Sequence, residues 1–302
     1  MSVNLITHRT SPRSRQALFE KTRHRILSRK ATQNRSPQQL LLLLDELMKF
    51  ELGVFLLDNQ GINGYWIDHV VNWVPTAQKP PEMSELEYII YSQFPSALAT
   101  RERHQIFLQL IQDRIDLVQC ALSVPCGLMS EFFQLNSEHI FSTHFVGLDL
   151  DERVLELTQL MAERKGMQEN CEFYWGDSWE MNFDNEFDLL SSNGLNFFEH
   201  DDEKVIELYQ LFFNALKTGG SLVTSFLTPP PLISSVSPWL MEYIDPDMMD
   251  LENQLFSDVI DVHWNAYRTE DQTRHQLESV GFKKIRFIYD KAHIFPTVLA
   301  EK

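Results

Sequence analysis

From about residue 117 onward, short apolar runs alternate with amphipathic helical segments, and this alternation limits the fold more than any other feature. The runs that predict strands are residues 117–124, 144–150, 171–175, 187–192 and 221–227, with a closing pair at 282–289 and 293–300. Strands that alternate with helices predict an α/β fold with a doubly wound, mostly parallel sheet. Such sheets bind ligands at the carboxyl ends of their strands, so we expect the chemistry in the loops that follow the strands.

The N-terminal third of the chain has helical patterns instead. The pairs Ser36–Gln39 and Ser84–Glu87 have the spacing of capping boxes, and Thr100 is placed to cap a third helix. The predicted domains are a basic N-terminal arm at 1–35, a helical cap and substrate region at 36–115, and an α/β domain at 116–302 with a lid insertion at about 228–268.

Charge is distributed unevenly along the chain. Residues 1–35 contain nine Lys or Arg and one acid, so they carry +8, whereas the other 267 residues carry −25. An acidic body argues against a protein that mainly holds nucleic acid, because the phosphate backbone needs cations. Four interpretations of the basic arm stay open: a flexible leader, a targeting segment, a dimer arm or a phosphate-seeking lid.

Composition excludes several further classes. The longest apolar run, residues 40–44, is far shorter than the ~20 residues that cross a bilayer. Three cysteines give no disulfide framework and fit a reducing compartment, so we expect a cytoplasmic protein. The ten histidines show none of the usual metal-ligand spacings, so no metal site is predicted.

Polar and small residues follow the predicted strands in a regular order. The loop after the first strand, Ser-Val-Pro-Cys-Gly-Leu-Met, holds Gly127, and a small residue there lets backbone N–H groups approach a ligand. Asp149 ends the second strand 22 residues later, at a distance suited to a carboxylate that accepts from ribose hydroxyls. Gly-Asp-Ser at 176–178 follows the third strand, and Ser-Ser-Asn-Gly-Leu-Asn at 191–196 ends the fourth.

This ordered set resembles the class I S-adenosylmethionine-dependent methyltransferases. The resemblance covers about residues 115–302 and includes FDLL-x2-NG at the fourth strand, LKTGG before the fifth and QLESVGFKKIRF near the C-terminus. It implies a Rossmann-like sheet of seven strands whose last strand is antiparallel to the rest. It also implies S-adenosylmethionine as cofactor and methyl transfer as the reaction.

The resemblance implies roles for individual residues. The turn around Gly127 would lie against the methionine part of the cofactor, Asp149 would hold the ribose hydroxyls, and Asp177 would accept from the adenine amino group. Asn193 and Gly194 would line the floor near the methyl group. The full set of cofactor-binding candidates is Ser123, Pro125, Cys126, Gly127, Asp149, Leu150, Asp177, Ser178, Asn193, Gly194, Arg101 and Arg103.

The sequence departs from the family pattern at two positions. The family usually has an acid where Ser123 stands and a glycine where Met129 stands. Simpler interpretations also stay open at several candidates. Asp149 is also a candidate helix cap, although Asp151 is better placed for that role. Asp177 is also a candidate turn residue, and Cys126 is expected to be a small packing residue rather than a nucleophile.

The helix that leads into the first strand supplies two further candidates. Ala-Thr-Arg-Glu-Arg opens that predicted helix, so Arg101 or Arg103 is a candidate to reach the cofactor carboxylate, the alternative being a solvated helix start. His200 follows the fourth-strand loop and is the candidate general base. The acidic cluster around it, residues 199–202, is predicted to be the solvated cap of the following helix, with a metal cluster as the alternative.

The acceptor is expected to contact residues outside the sheet. The substrate candidates, mostly aromatic, are Tyr65, Trp66, Asn196, Trp239, Tyr243, His263 and Trp264. These side chains suit an apolar or aromatic small molecule, and they suit lid packing or a homodimer contact equally well. No Asn-Pro-Pro-aromatic motif follows the fourth strand, and in the family that motif accompanies methylation of bases and of glutamine.

We therefore predict a methyltransferase that acts on an oxygen or nitrogen of a small molecule. One alternative is a degenerate methyltransferase fold that acts as a binding or regulatory protein. The other is a methyltransferase that acts on RNA or protein through the basic arm.

Overall fold

The computed structural model describes residues 12–28, 36–76 and 78–302. The helices, in chain order, are α1 (Pro12–Ser28), α2 (Pro37–Leu47), α3 (Glu51–Asn59), α4 (Gly64–Val71), α5 (Glu85–Ser92), α6 (Pro95–Gln112), α7 (Ser130–Phe133), α8 (Glu152–Lys165), α9 (Asp202–Ala215), α10 (Pro246–Asn253) and α11 (Glu270–Val280). The strands are β1 (Cys120–Ser123), β2 (His144–Asp149), β3 (Cys171–Trp175), β4 (Phe187–Ser192), β5 (Leu216–Ser225), β6 (Lys283–Ile288) and β7 (Thr297–Glu301). Among the described residues, no helix has both the length and the apolar character needed to cross a membrane.

The chain forms two compact units whose limits differ from the predicted domains. Residues up to 98 and residues 241–264 form the first unit. Residues 99–240 and 265–302 form the second. The division therefore falls within α6 rather than at residue 115. The middle of the predicted lid belongs to the first unit, because its side chains pack into the core of the N-terminal helices.

Of the three helix caps predicted in the N-terminal third, two are present and one is not. Ser36 forms a capping box at the start of α2, and Ser84 accepts the backbone N–H of Glu87 at the start of α5. The predicted start at Thr100 is wrong, because α6 begins at Pro95, five residues earlier. Proline suits the first position of a helix. The carboxylate of Glu252, from α10, accepts the Ser96 N–H at 3.2 Å and so caps α6 from another helix.

The described part of the predicted basic arm is a packed helix. Leu18 and Ile26 of α1 are buried in the core of the first unit. Arg15 forms an ion pair with Glu51 at 2.5 Å. Arg25 donates to backbone carbonyls of the π-helical segment Gln254–Ile260, with the Ile260 oxygen at 3.0 Å. Residues 12–28 are therefore not a free leader, and residues 1–11 and 29–35 lie outside the described residues.

The second unit contains one seven-stranded sheet, as the family resemblance implies. Its strand order is β3-β2-β1-β4-β5-β7-β6. The pairs among the first five strands are parallel, whereas β7 is antiparallel to both β5 and β6. The strand order reverses between β1 and β4, so the loops after these strands meet at the place where such sheets bind ligands.

Both faces of this sheet are buried, which explains the nearly continuous apolar runs of its strands. Ala121 faces one helix-covered core and Leu122 the other, and Leu189 and Leu190 divide in the same way. Helix α9 ends before the glycine pair Gly219 and Gly220. The helix ends at Ala215 because the next residue already pairs with β4, and both glycines lie within β5.

Candidate active site

The loop after β1 is fastened to the end of β2. The Cys126 N–H donates to the Leu148 carbonyl at 2.9 Å, and the Gly127 N–H donates to Oδ2 of Asp149 at 2.9 Å. The Thr158 hydroxyl of α8 donates to the Gly127 carbonyl at 2.7 Å. Gly127 has a φ of 49°, in the left-handed region that favours glycine. The loop is therefore fixed at the carboxyl edge before any ligand arrives.

Asp149 is a buried carboxylate held by backbone N–H groups. Its Oδ1 accepts from the Asp151 N–H at 2.9 Å, while Oδ2 accepts from Gly127. Burial raises its pKa to about 6, against the lowering effect of these hydrogen bonds. Asp151 is the cap of α8 and accepts the backbone N–H groups of Arg153 and Val154. Asp149 is therefore not needed as a helix cap.

Two other loop residues have packing roles. Met129 adopts a φ of 51°, a conformation in which the family's glycine is unstrained, and its side chain is fully buried in the core. The packing of this side chain in the core explains how a methionine can keep a left-handed backbone conformation at this position. Cys126 is also buried, and a Cβ added at Gly147 would lie 3.1 Å from its sulfur. Burial raises the pKa of the Cys126 thiol well above its usual range, which fits the packing interpretation.

A carboxylate that the sequence argument missed stands beside this loop. Oε1 of Glu131, on α7, accepts from the hydroxyl of Ser123 at 2.8 Å and from the hydroxyl of Ser191 at 3.1 Å. Both serines are buried, at the ends of β1 and β4. The absence of an acid at residue 123 was the signal that could have prompted a search for a replacement nearby.

The loops after β3 and β4 hold the remaining cofactor candidates. Asp177 accepts the Trp179 N–H at 2.9 Å and so caps a short turn, and Ser178 beside it is buried. The Ser225 hydroxyl donates to Oδ1 of Asn193 at 3.3 Å. Gly194 has a φ of 98°. Because Oδ1 of Asp177 accepts the Trp179 N–H, this oxygen has the role of a turn residue, as one of the two interpretations of Asp177 expects.

Arg268 organises the segment after β4, and sequence reasoning did not single it out. Its buried guanidinium donates to the carbonyls of Asn196 and Glu199, at 2.8 and 2.6 Å, and to the Asp202 carboxylate at 3.0 Å. Asn196 is itself buried, and its amide nitrogen donates to the Tyr209 hydroxyl and to a backbone carbonyl. These contacts give the predicted substrate residue Asn196 a structural role.

The candidate base and the acidic cluster lie at the start of α9. His200 is exposed. Asp201 caps α9 by accepting the Glu203 N–H at 3.0 Å, as the capping interpretation predicts. Within the described ranges, no group of three His, Cys, Asp or Glu residues is arranged to hold a metal ion.

Arg103 is a buried cation. Among the described residues, no carboxylate forms a hydrogen bond or a close ion pair with its guanidinium. Its guanidinium lies 4.6 Å from the ring centre of Phe295 and 5.3 Å from that of Phe197. Its Nε and Nη1 are buried and have no hydrogen-bond partner in the described part of the chain. Burial lowers its pKa to about 10, with Asp290 as the opposing charge. Arg101 is less deeply buried, and burial lowers its pKa as well.

The aromatic substrate candidates are divided between the two units. In the first unit, Tyr65 and Trp66 lie edge to face at 5.0 Å, and Trp264 packs against Phe256 at 5.3 Å. Tyr243 and His263 are exposed members of the same unit. In the second unit, the Trp239 indole donates to the Thr228 hydroxyl at 2.9 Å.

Comparisons with known proteins agree with this fold. The family model described as "Methyltransferase domain" matches residues 121–259. A comparison with curated proteins gives no match. The chain is 39% identical to a Bordetella parapertussis protein described as a possible exported protein, with a TM-score of 0.90. That alignment covers 98% of this chain and 97% of the other.

Two more distant structures share the fold. A putative O-methyltransferase from Nostoc punctiforme is 12% identical over 96% of each chain, with a TM-score of 0.51. The magnesium protoporphyrin IX methyltransferase of Synechocystis, with bound S-adenosylhomocysteine, is 10% identical over 79% of this chain and 94% of that chain, also with a TM-score of 0.51. The sheet order and the family model define a methyltransferase. Residues 121–259 therefore form a methyltransferase domain, and the methyl donor of this domain is S-adenosylmethionine.

Proposed function

We propose that the protein transfers the methyl group of S-adenosylmethionine to an oxygen or nitrogen of a small-molecule acceptor in the cytoplasm. The observation that carries the cofactor part is the contact between the Asp149 carboxylate and the Gly127 N–H at 2.9 Å. It holds a carboxylate and a glycine turn together at the carboxyl edge, beside the place where the strand order reverses. A buried carboxylate there suits ligand hydroxyl groups as donors.

The chemistry of the surrounding groups fits the other parts of this cofactor. The backbone from Pro125 to Gly127 offers a small surface for the methionine part, and Leu150 adjoins Asp149. The second oxygen of Asp177 is the proposed acceptor for the adenine amino group, with Ser178 next to it. These assignments follow the family pattern, and the hydrogen bonds described above support them.

Arg103 is the proposed partner of the cofactor carboxylate. A guanidinium loses hydration when it is buried, and this loss is offset only when its N–H groups find acceptors. Two of its nitrogens have none within the described residues, and a carboxylate matches the spacing of guanidinium N–H groups. Arg101, two residues earlier, remains the second candidate.

The chain contributes to the reaction mainly by positioning. S-adenosylmethionine supplies a methyl group that is already activated on a sulfonium centre. The fixed loop after β1 and the Arg268-held segment after β4 restrict where the donor and the acceptor can lie, and such restriction can contribute up to ~7–11 kcal/mol. Asn193 and Gly194 are the proposed floor of this space. If the acceptor is a hydroxyl or a protonated amine, His200 is the proposed base.

Two observations favour a small acceptor over a macromolecule. The first unit holds a cluster of aromatic rings, with Tyr65 and His69 centred 4.4 Å apart and Trp66 within 5.3 Å of both. The buried indole N–H of Trp66 in this cluster has no hydrogen-bond partner among the described residues. Arg15 and Arg25 of the basic segment are engaged within the unit, which leaves them less able to bind phosphate.

Methyl-labelled S-adenosylmethionine tests this proposal. The full chain is incubated with cell extract that has been divided by ultrafiltration into a low-molecular-mass filtrate and a macromolecular retentate. We expect protein-dependent label in products of the filtrate and none above background in RNA or protein. Label confined to the retentate would contradict the small-molecule acceptor. An Asp149→Asn variant serves as the control for transfer that depends on the cofactor site.

A further inference from the structure

Two buried hydroxyl groups, at the carboxyl ends of two central strands, donate hydrogen bonds to one carboxylate oxygen. Ser123 of β1 and Ser191 of β4 are direct partners in the parallel register, with exposed fractions of 0% and 1%. Both donate to Oε1 of Glu131, at 2.8 and 3.1 Å. Hydrogen bonds to an ionised acceptor are stronger than those between neutral groups, so this arrangement holds Glu131 in a defined orientation.

The backbone of α7 and the hydrophobic core also restrict the position of Glu131. Glu131 lies on α7, which follows Met129 and its left-handed backbone. Its neighbours Phe132 and Phe133 are buried in the core of the second unit. The position of the carboxylate is therefore set by packing on one side and by two strand ends on the other.

Two negative charges act on the loop after β1. Besides burial, the charges of Asp149 and Glu131 raise the pKa of the Cys126 thiol, so both carboxylates act on the middle of this loop. Asp149 stands at the end of β2, and Glu131 is bonded to the ends of β1 and β4. A ligand that lies along the loop would therefore feel the charge of both carboxylates.

We propose that Glu131 recognises the α-ammonium group of the cofactor's methionine part, with Ser123 and Ser191 as its orienting partners. This inference rests on the proposed function, because it assigns a further residue to the same cofactor site. Asp149 is matched to the neutral ribose hydroxyls, so the second carboxylate, Glu131, is suited to the cationic end of the ligand. The chain thereby supplies from residue 131 the negative charge that it lacks at residue 123.

Calorimetry with two nucleosides tests this role. S-adenosylhomocysteine carries the amino-acid part, whereas 5′-methylthioadenosine has the same adenosine and thioether without it. We expect Glu131→Gln to weaken binding of S-adenosylhomocysteine by about tenfold to a hundredfold, the range of a charged hydrogen bond. Binding of 5′-methylthioadenosine is expected to change less than about twofold, since that ligand has no ammonium group.

Two further variants make the test specific. Glu138→Gln removes an exposed carboxylate seven residues away and is expected to bind both ligands as the wild type does. The double variant Ser123→Asp with Glu131→Gln returns an acid to the end of β1 and is expected to recover part of the lost affinity for S-adenosylhomocysteine. Thermal unfolding of each variant confirms that folded protein is compared.

The outcomes separate this inference from the proposed function. A folded wild-type protein that binds neither nucleoside overturns both. A wild type that binds S-adenosylhomocysteine, together with a Glu131→Gln variant that binds it equally well, overturns the ammonium assignment alone. Equal losses for the two ligands in Glu131→Gln also overturn it, because the residue would then only support the loop.

Discussion

Oδ2 of Asp149 accepts the backbone N–H of Gly127 at 2.9 Å, and this bond joins the end of β2 to the loop after β1. The other oxygen of the same carboxylate accepts the Asp151 N–H at the start of α8. One buried side chain therefore sets the relative position of two loops and a helix. It also makes Asp149 the residue through which the cofactor proposal is most easily tested.

Replacing Asp149 by asparagine is expected to weaken binding of S-adenosylhomocysteine by about tenfold to a hundredfold, because a charged acceptor is lost. The amide nitrogen of asparagine also cannot accept from a backbone N–H group. Isothermal titration calorimetry measures the change. Asp151→Asn is the matched control, since asparagine caps helices about as well as aspartate and should leave binding unchanged. Equal affinities for wild type and Asp149→Asn would contradict the role of Asp149.

Binding is also expected to depend on pH. Burial raises the pKa of Asp149 to about 6, and hydroxyl donors of a ligand favour the ionised carboxylate. Affinity for S-adenosylhomocysteine should therefore rise as the pH increases from about 5 to 7, by up to about tenfold per pH unit below the pKa. The same titrations with Asp149→Asn should lose this component of the rise. A wild-type affinity that is flat or falls over this range would oppose the assignment.

Arg103 is expected to strengthen binding of S-adenosylhomocysteine and to lower the free energy of unfolding of the protein. The neutral variant Arg103→Met removes a buried charge that lacks a directly bonded partner, so the free energy of unfolding should stay unchanged or increase by about 1 kcal/mol. Its affinity for S-adenosylhomocysteine should fall by about tenfold or more, with 5′-methylthioadenosine unaffected. Urea unfolding and calorimetry measure the two effects.

A second arginine offers the control for that variant. Arg274 also lies over a phenylalanine ring, that of Phe287 at 4.7 Å, but it forms an ion pair with Glu270 at 3.0 Å. Arg274→Met should leave the affinity for S-adenosylhomocysteine unchanged. Unaltered affinity in Arg103→Met, or equal losses for both nucleosides, would rule out contact between Arg103 and the cofactor carboxylate.

Glu252 is expected to make the stability of the protein depend on pH. Burial raises its pKa to about 7, above the value of 4.5 for an exposed glutamate. Because the folded state then binds the proton more tightly than the unfolded state, this group lowers stability as the pH rises from about 4.5 through 7. Glu252→Gln should remove that loss, so the variant should gain up to about 3 kcal/mol relative to wild type between pH 5 and 8.

Urea unfolding at pH 5 and pH 8 measures this difference. Glu242→Gln, which also lies in residues 241–264 but at an exposed position, should show no comparable dependence. A difference between wild type and Glu252→Gln that is the same at both pH values would contradict the buried-carboxylate argument.

The fold was largely predictable because its signals are local. Strands β3 and β4 have the predicted limits, and Asp151, Thr269 and Gly281 cap helices from within their own segments. The prediction failed where a residue distant in the sequence sets the limit of an element. The start of α6 was missed because its cap comes from Glu252 of α10.

The candidate site was only partly predictable for the same reason. Asp149 was found because its spacing from Gly127 is a feature of the sequence, and the structure adds the hydrogen bond between them. Glu131 and Arg268 were missed because their roles depend on contacts with other loops. The exposure of His200 and the burial of Arg103 likewise follow from packing, which residue spacing does not record.

The most direct test of the central claim is a crystal structure of the full chain with S-adenosylhomocysteine. We expect the ribose hydroxyls at hydrogen-bond distance, about 3 Å, from the Asp149 carboxylate, and the amino-acid part along the loop around Gly127. The space beside the sulfur atom should then show the size and polarity of the acceptor. A ligand bound elsewhere on the protein, or no ligand at saturating concentration, would contradict the cofactor site described above.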